Sequence, residues 1–126
     1  MKKILQLLVM AFLSSPLFAQ DAKLHIRDFT PLYTVSSFKV LGTCGLCTKR
    51  ILKALNVEGV KSAFWDQEDQ ELTVQYNNRK IKLGQIYQVV SAAGHDTETL
   101  KASSEVYATL PACCHYNRKL LPEPKN

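Results

Sequence analysis

The chain has 126 residues, with 16 Lys and Arg against 11 Asp and Glu, and a formal net charge of +5. The charges are interspersed and form no basic block with interleaved aromatic residues, which argues against nucleic acid as a partner. No stretch reaches the roughly 20 apolar residues that a membrane-spanning helix needs, so the mature protein is expected not to span a membrane.

The first 19 residues have the layout of a secretory signal peptide. Lys2 and Lys3 precede an apolar run from Ile4 to Leu13, and Ala19 provides a small residue at the predicted cut. The run is too short to cross a bilayer, and the alternative is a short N-terminal anchor that stays uncut. The segment predicts export, and we expect the periplasm of a Gram-negative bacterium.

The rest of the chain divides into three parts by pattern: a lead-in over residues 20–36, a domain over 37–100 and a C-terminal extension over 101–126. Period-two and helical spacings of apolar residues predict, in order, a strand at 38–40, a helix at 47–55, a hairpin of strands 60–66 and 72–76, a helix at 83–93 and a strand at 96–100. This β-α-β-β-α-β order predicts an α+β, ferredoxin-like sandwich, in which two helices cover one face of a four-stranded antiparallel sheet.

The four cysteines stand in two tight pairs, Cys44 with Cys47 and Cys113 with Cys114. A disulfide within either pair would close a very short loop and would gain little from restricting the unfolded chain. Close pairs are more typical of metal ligands or redox groups, although a cross-link between the two pairs stays open.

The position of the first pair favours metal binding. Cys44 falls in the loop after the first strand and Cys47 in the first helical turn, so both sulfurs converge on one point. Free N–H groups and the positive end of the helix dipole stabilise thiolates there. Two thiolates without a hard oxygen ligand favour a soft ion, Cu(I) first, with Hg(II) or Zn(II) as alternatives. We therefore predict Cys44 and Cys47 as metal ligands.

This part of the chain resembles the heavy-metal-associated domain. Several separated motifs carry the resemblance in the right order: Phe38-Lys39-Val40, Thr43-Cys44-Gly45-Leu46-Cys47, Glu58-Gly59-Val60, Leu72-Thr73-Val74-Gln75-Tyr76 and Ala92-Ala93-Gly94-His95-Asp96. The family usually has Gly-Met-x-Cys-x-x-Cys, with the methionine packed beneath the metal loop. Gly42-Thr43-Cys44 is one residue shorter and lacks the methionine, so the resemblance implies metal binding without fixing the metal.

The extension resembles the tail of an exported bacterial subset of that family, which carries Leu-Pro-x-Cys-Cys-x-Tyr after the domain. Here the matching residues are Leu110-Pro111-Ala112-Cys113-Cys114-His115-Tyr116. Adjacent side chains point apart in most backbones, so Cys113, Cys114 and His115 are not expected to reach one ion together. One of the two cysteines is expected to approach the first pair as a third ligand. The alternative is that the segment packs on the domain through Tyr107, Leu110 and Tyr116.

His95 is the remaining candidate ligand. It follows the residues that close the second helix, in a loop that lies beside the first cysteine loop in a ferredoxin-like fold. A solvated loop histidine is the commoner case for such a residue, and the alternative is that His95 shields or ligates the metal.

These features predict a non-enzymatic metal carrier or scavenger that exchanges its ion between exposed thiolates, with a membrane metal transporter or its metal-binding domain as partner. One alternative is a thiol–disulfide oxidoreductase, with Cys44 as nucleophile and Cys47 as resolving thiol. The other is a small interaction domain whose cysteines form structural disulfides.

Overall fold

The structure, a computed structural model, describes residues 31–122. The predicted signal peptide, most of the lead-in and the last four residues lie outside this range. The elements are β1 (Thr34–Lys39), α1 (Gly45–Ala54), β2 (Val60–Asp66), β3 (Glu71–Tyr76), α2 (Leu83–Ala92) and α3 (Ser104–Ala108), followed by 3-10 turns at Ala112–Cys114 and Arg118–Leu120. Within the described residues no helix is both long and apolar enough to cross a bilayer.

The sheet has the order β1-β3-β2, and both pairings are antiparallel. Leu72, Val74 and Tyr76 of the central strand are buried and alternate with half-buried polar residues, as a strand with one covered face requires. The turn between β2 and β3 is closed by the Asp66 carboxylate, which accepts hydrogen bonds from the N–H groups of Glu68 and Asp69. The predicted hairpin is confirmed.

The fourth strand expected at 96–100 is reduced, in the part of the chain that the structure describes, to one antiparallel bridge between Val40 and Thr97. The backbone turns immediately after this bridge. The Thr97 hydroxyl oxygen accepts a hydrogen bond from Leu100 N at 2.8 Å, and Thr97 N donates to Leu100 O at 2.8 Å. These local bonds take the place of a ladder along β1.

The core lies between the sheet and the two long helices, which confirms the α+β layout. It is formed by buried apolar side chains from each layer, chiefly Phe38, Trp65, Leu72 and Val74 from the strands and Ile51, Leu55, Ile86 and Val90 from the helices. Burying side chains of this kind supplies about 25 cal/mol per Å² of apolar surface, the main stabilising term. The same packing fixes the start of α1, because Cys47 is itself fully buried in this core.

The extension packs back onto the domain at the end of α2. Gly94 has φ +102°, and a Cβ there would lie 2.7 Å from Leu110 Cδ2, so only glycine allows this approach. The buried Tyr116 hydroxyl donates to Gly94 O at 2.8 Å and accepts from Asp96 N at 2.7 Å. The Tyr107 hydroxyl in turn donates to Tyr116 O at 2.6 Å. The aromatic and leucine anchors expected in this segment therefore hold it in place.

An ion pair completes this docking. The Asp96 side chain is fully buried, and the Arg118 guanidinium binds both of its oxygens, each at 2.8 Å. Asp96 also accepts the N–H of Ala102 at 2.8 Å. A two-point arginine–carboxylate contact fixes both distance and orientation, so the extension has one defined position on the domain.

Candidate metal site

Three cysteine sulfurs meet at the N-terminus of α1. Cys44 Sγ lies 3.7 Å from Cys47 Sγ and 3.7 Å from Cys114 Sγ, and all three sulfurs are within 4.8 Å of one another. All four cysteines of the chain are free thiols. Among the described residues, no histidine or carboxylate joins this group. The structure therefore forms an all-sulfur cluster from the first cysteine pair and one residue of the extension.

The first two sulfurs are positioned by the way α1 begins. Cys44 is the N-cap residue with an extended backbone (φ −149°), and Cys47 follows in the first turn. N–H groups at a helix start lack a carbonyl partner one full turn back, and those of Leu46 and Cys47 lower the pKa of Cys44; Cys47 N also donates to Cys44 O at 2.9 Å. Thr43 N donates to Cys47 Sγ at 3.4 Å. The loop thus directs backbone donors at both sulfurs.

The third sulfur is brought in by the 3-10 turn at Ala112–Cys114. The Thr43 hydroxyl donates a hydrogen bond to the carbonyl oxygen of Cys113, which joins the extension to the cysteine loop. Within this turn the two adjacent side chains separate, since Cys113 is exposed and Cys114 is fully buried. Cys114 is therefore the member of the second pair that enters the cluster.

The thiols of the cluster differ in acidity. A hydrogen bond from the Cys113 thiol holds the pKa of Cys44 at about 6, and the N–H groups of Cys47 and Leu46 favour its thiolate further. The same hydrogen bond raises the pKa of Cys113. Burial raises the pKa of Cys114 above the usual thiol range. Without metal and near neutral pH, Cys44 is therefore a thiolate and Cys114 stays protonated.

We expect iodoacetamide to alkylate Cys44 of the reduced, metal-free protein with a midpoint near pH 6, because its thiolate persists down to its pKa of about 6. Cys113→Ala removes the main hydrogen-bond donor and should move the midpoint upward. Peptide mass spectrometry across a pH series measures both. A wild-type midpoint at the ordinary thiol value of about 8.5 would contradict the assignment.

The two candidate histidines lie outside the sulfur cluster. His95 is fully buried, its Nδ1 is 2.8 Å from Leu41 O, and its Nε2 has no hydrogen-bond partner within the described part of the chain. Burial lowers the pKa of His95, which keeps it neutral. His115 Nε2 is 2.9 Å from Leu110 O, so this ring is bonded within the extension. The expectation of a solvated loop histidine is therefore wrong for His95, since its side chain is fully buried.

Two residues that contact the cysteine loop, Trp65 and Gln67, were not predicted from the sequence to do so. A Cβ on Gly42 would lie 2.8 Å from the Trp65 ring and 3.0 Å from Cys47 Cβ, so this indole packs directly against the loop. Trp65 lies in the predicted hairpin strand 60–66, but the sequence does not predict its place beside the cysteines. Gln67 also reaches the loop, with Nε2 3.0 Å from Thr43 O. A polar turn residue carries no sequence signal for such a contact.

Comparison with known proteins agrees with this geometry. Residues 37–96 match the heavy-metal-associated domain. The N-terminal domain of a potential copper-translocating P-type ATPase from Bacillus subtilis, solved in its Cu(I)-loaded state, is 30% identical with a TM-score of 0.50. The match covers 52% of this chain and 84% of that one. No curated protein matches.

Two further solved structures are similar to part of this chain. A CopZ metallochaperone is 30% identical, with a TM-score of 0.49, over 51% of this chain and 98% of that chain. Oxidized MerP from Ralstonia metallidurans is 24% identical, with a TM-score of 0.49, over 52% of this chain and 93% of its own. With the domain match over residues 37–96, the chain belongs to the heavy-metal-associated family.

Proposed function

We propose that this protein is an exported carrier of a soft metal ion, with Cu(I) as its cargo and Cys44 and Cys47 as the core ligands. The observation that carries the proposal is the pair of unbonded sulfurs 3.7 Å apart at the start of α1. Sulfur ligands without oxygen ligands select soft ions. The Cu(I)-loaded state of the 30% identical Bacillus subtilis domain supports copper over Hg(II) and Zn(II).

Transfer by ligand exchange is consistent with the exposure of the loop. Cys44 is half-buried, and its neighbours Gly45 and Leu46 are exposed, so an incoming thiolate can approach from this side. The cargo then passes from one set of sulfurs to another without a free ion. The partner that fits is a membrane metal transporter, or a metal-binding domain of one. The N-terminal segment supports export to the periplasm, and the protein needs no catalytic residue for this task.

A competition titration tests the proposal. Reduced protein is titrated with Cu(I) against a coloured chelator, beside a Cys44→Ser variant. We expect one ion per chain and an affinity reduced by more than about 100-fold in the variant, because losing a ligand exceeds the 10–100-fold cost of losing a group that only orients one. Equal binding by the two proteins would refute the metal function.

A second candidate, thiol–disulfide exchange, is favoured by the acidity of Cys44. A thiolate with a pKa of about 6, 3.7 Å from a second sulfur, has the arrangement of a nucleophile with its resolving thiol. Insulin-reduction assays distinguish the two functions. Activity that is abolished by Cys44→Ser would support exchange, and its absence in a protein that binds Cu(I) would support the carrier.

A further inference from the structure

We propose that Cys114 is the third ligand of the cargo ion, so that the C-terminal extension forms part of the metal site. This inference rests on the proposed function and defines its coordination. The family match ends at residue 96, and Cys114 lies beyond it. The third ligand therefore comes from a segment outside the matched domain.

The spacing of the sulfurs fits a three-coordinate ion. Three sulfurs in a plane, each about 2.3 Å from one ion, lie about 4.0 Å apart. The two measured separations from Cys44 are 3.7 Å, and the remaining one is within 4.8 Å. The sulfur separations therefore need to change by less than about 1 Å for all three to bind one ion. Each sulfur that is still protonated releases its proton to solvent on binding, and no electron is transferred.

The surroundings of the cluster favour three ligands over four. Cys47 and Cys114 are fully buried, whereas Cys113 is exposed and is not a member of the group. Among residues 31–122 no histidine or carboxylate belongs to the group either. Zn(II) sites in proteins are almost always four-coordinate, whereas three thiolates satisfy Cu(I). The third sulfur therefore sharpens the preference for Cu(I) over Zn(II).

The extension holds Cys114 in place without help from the ion. Thr43 binds the Cys113 carbonyl on one side of Cys114, and the Tyr116 hydroxyl bonds to Gly94 and Asp96 on the other. Arg118 fixes the following turn through Asp96. A ligand placed in advance avoids the entropy cost of ordering a free tail on binding.

The adjacent cysteines provide a matched test. Cu(I) affinity and the sulfur coordination number from X-ray absorption are measured for wild type, Cys114→Ser, Cys114→Ala and Cys113→Ser. We expect three sulfurs in wild type and Cys113→Ser, and two in both Cys114 variants. Cu(I) affinity should fall at least about tenfold in the Cys114 variants, with a smaller loss for Zn(II). It should change less than about threefold in Cys113→Ser, because the serine hydroxyl keeps a hydrogen-bond donor for the Cys44 sulfur.

The outcomes separate this inference from the function on which it rests. A wild-type protein that does not bind Cu(I) refutes the carrier function. A wild-type protein that binds Cu(I) through two sulfurs refutes only the third ligand, as does unchanged affinity in folded Cys114 variants. Circular dichroism of the metal-free variants checks their folding. If both are unfolded, the wild-type coordination number alone decides.

Discussion

Replacing Arg118 with alanine is expected to lower the free energy of unfolding by about 3 kcal/mol, the cost of leaving a buried charge without its partner. The Asp96 side chain is fully buried, whereas that of Arg118 is 24% exposed, which places the effect at the low end for such pairs. The carboxylate would keep its hydrogen bond from Ala102 but lose both contacts to the guanidinium. Urea denaturation of the metal-free protein measures the change.

Lys119 provides the control, because it is the next cation along the chain and is exposed. Lys119→Ala should change stability by less than about 0.5 kcal/mol. Adding Asp96→Asn to Arg118→Ala should restore part of the loss, since the unpaired charge is then removed. Equal stability of the Arg118 and Lys119 variants would show that the ion pair does not hold the extension.

Trp65→Ala is expected to cost about 4 kcal/mol, in the range for removing a large buried aromatic side chain. The Trp65 residue is 3% exposed, and Nε1 donates to Val40 O at 3.1 Å. The substitution leaves a cavity against Gly42 and a buried carbonyl without its donor. Since the ring packs against the cysteine loop, Cu(I) affinity should fall together with stability.

Phe64 is the matched control for Trp65. It is the preceding aromatic residue on β2 and is 65% exposed on the other face of the sheet. Phe64→Ala should change the free energy of unfolding by less than about 0.5 kcal/mol and leave metal binding as in wild type. Thermal unfolding and the same Cu(I) competition assay report both quantities. A larger loss for Phe64→Ala than for Trp65→Ala would contradict the assigned core.

Much of the fold could be predicted because burial imposes periods on the sequence. The alternation of Leu72, Val74 and Tyr76 and the helical spacing of Cys47, Ile51 and Leu55 are direct records of which faces are covered. The first cysteine pair could be placed for the same reason, since a strand and a helix flank it. A helix or strand whose buried residues recur at a regular spacing can therefore be predicted from the sequence alone.

The remaining features depend on contacts between distant residues. The reduction of the predicted fourth strand to a single bridge follows from Thr97 bonding to Leu100 in place of a ladder, and an apolar pattern does not show this local competition. The choice between Cys113 and Cys114 depends on how a short 3-10 turn is anchored by Thr43. The pairing of Asp96 with Arg118 joins two charges 22 positions apart, and sequence alone gives no means of matching them.

The sequence separation of the three cysteines sets the order in which their sulfurs come together during folding. Cys44 and Cys47 meet as soon as one helical turn forms, whereas Cys44 and Cys114 are 70 positions apart. The entropy lost in closing such a loop grows with its length, so contacts of this kind form late in folding. An ion that arrives early meets two sulfurs, and one that arrives after folding meets three. Only the fully folded chain therefore offers all three sulfurs, and we expect it to bind the ion more tightly than a partly folded chain.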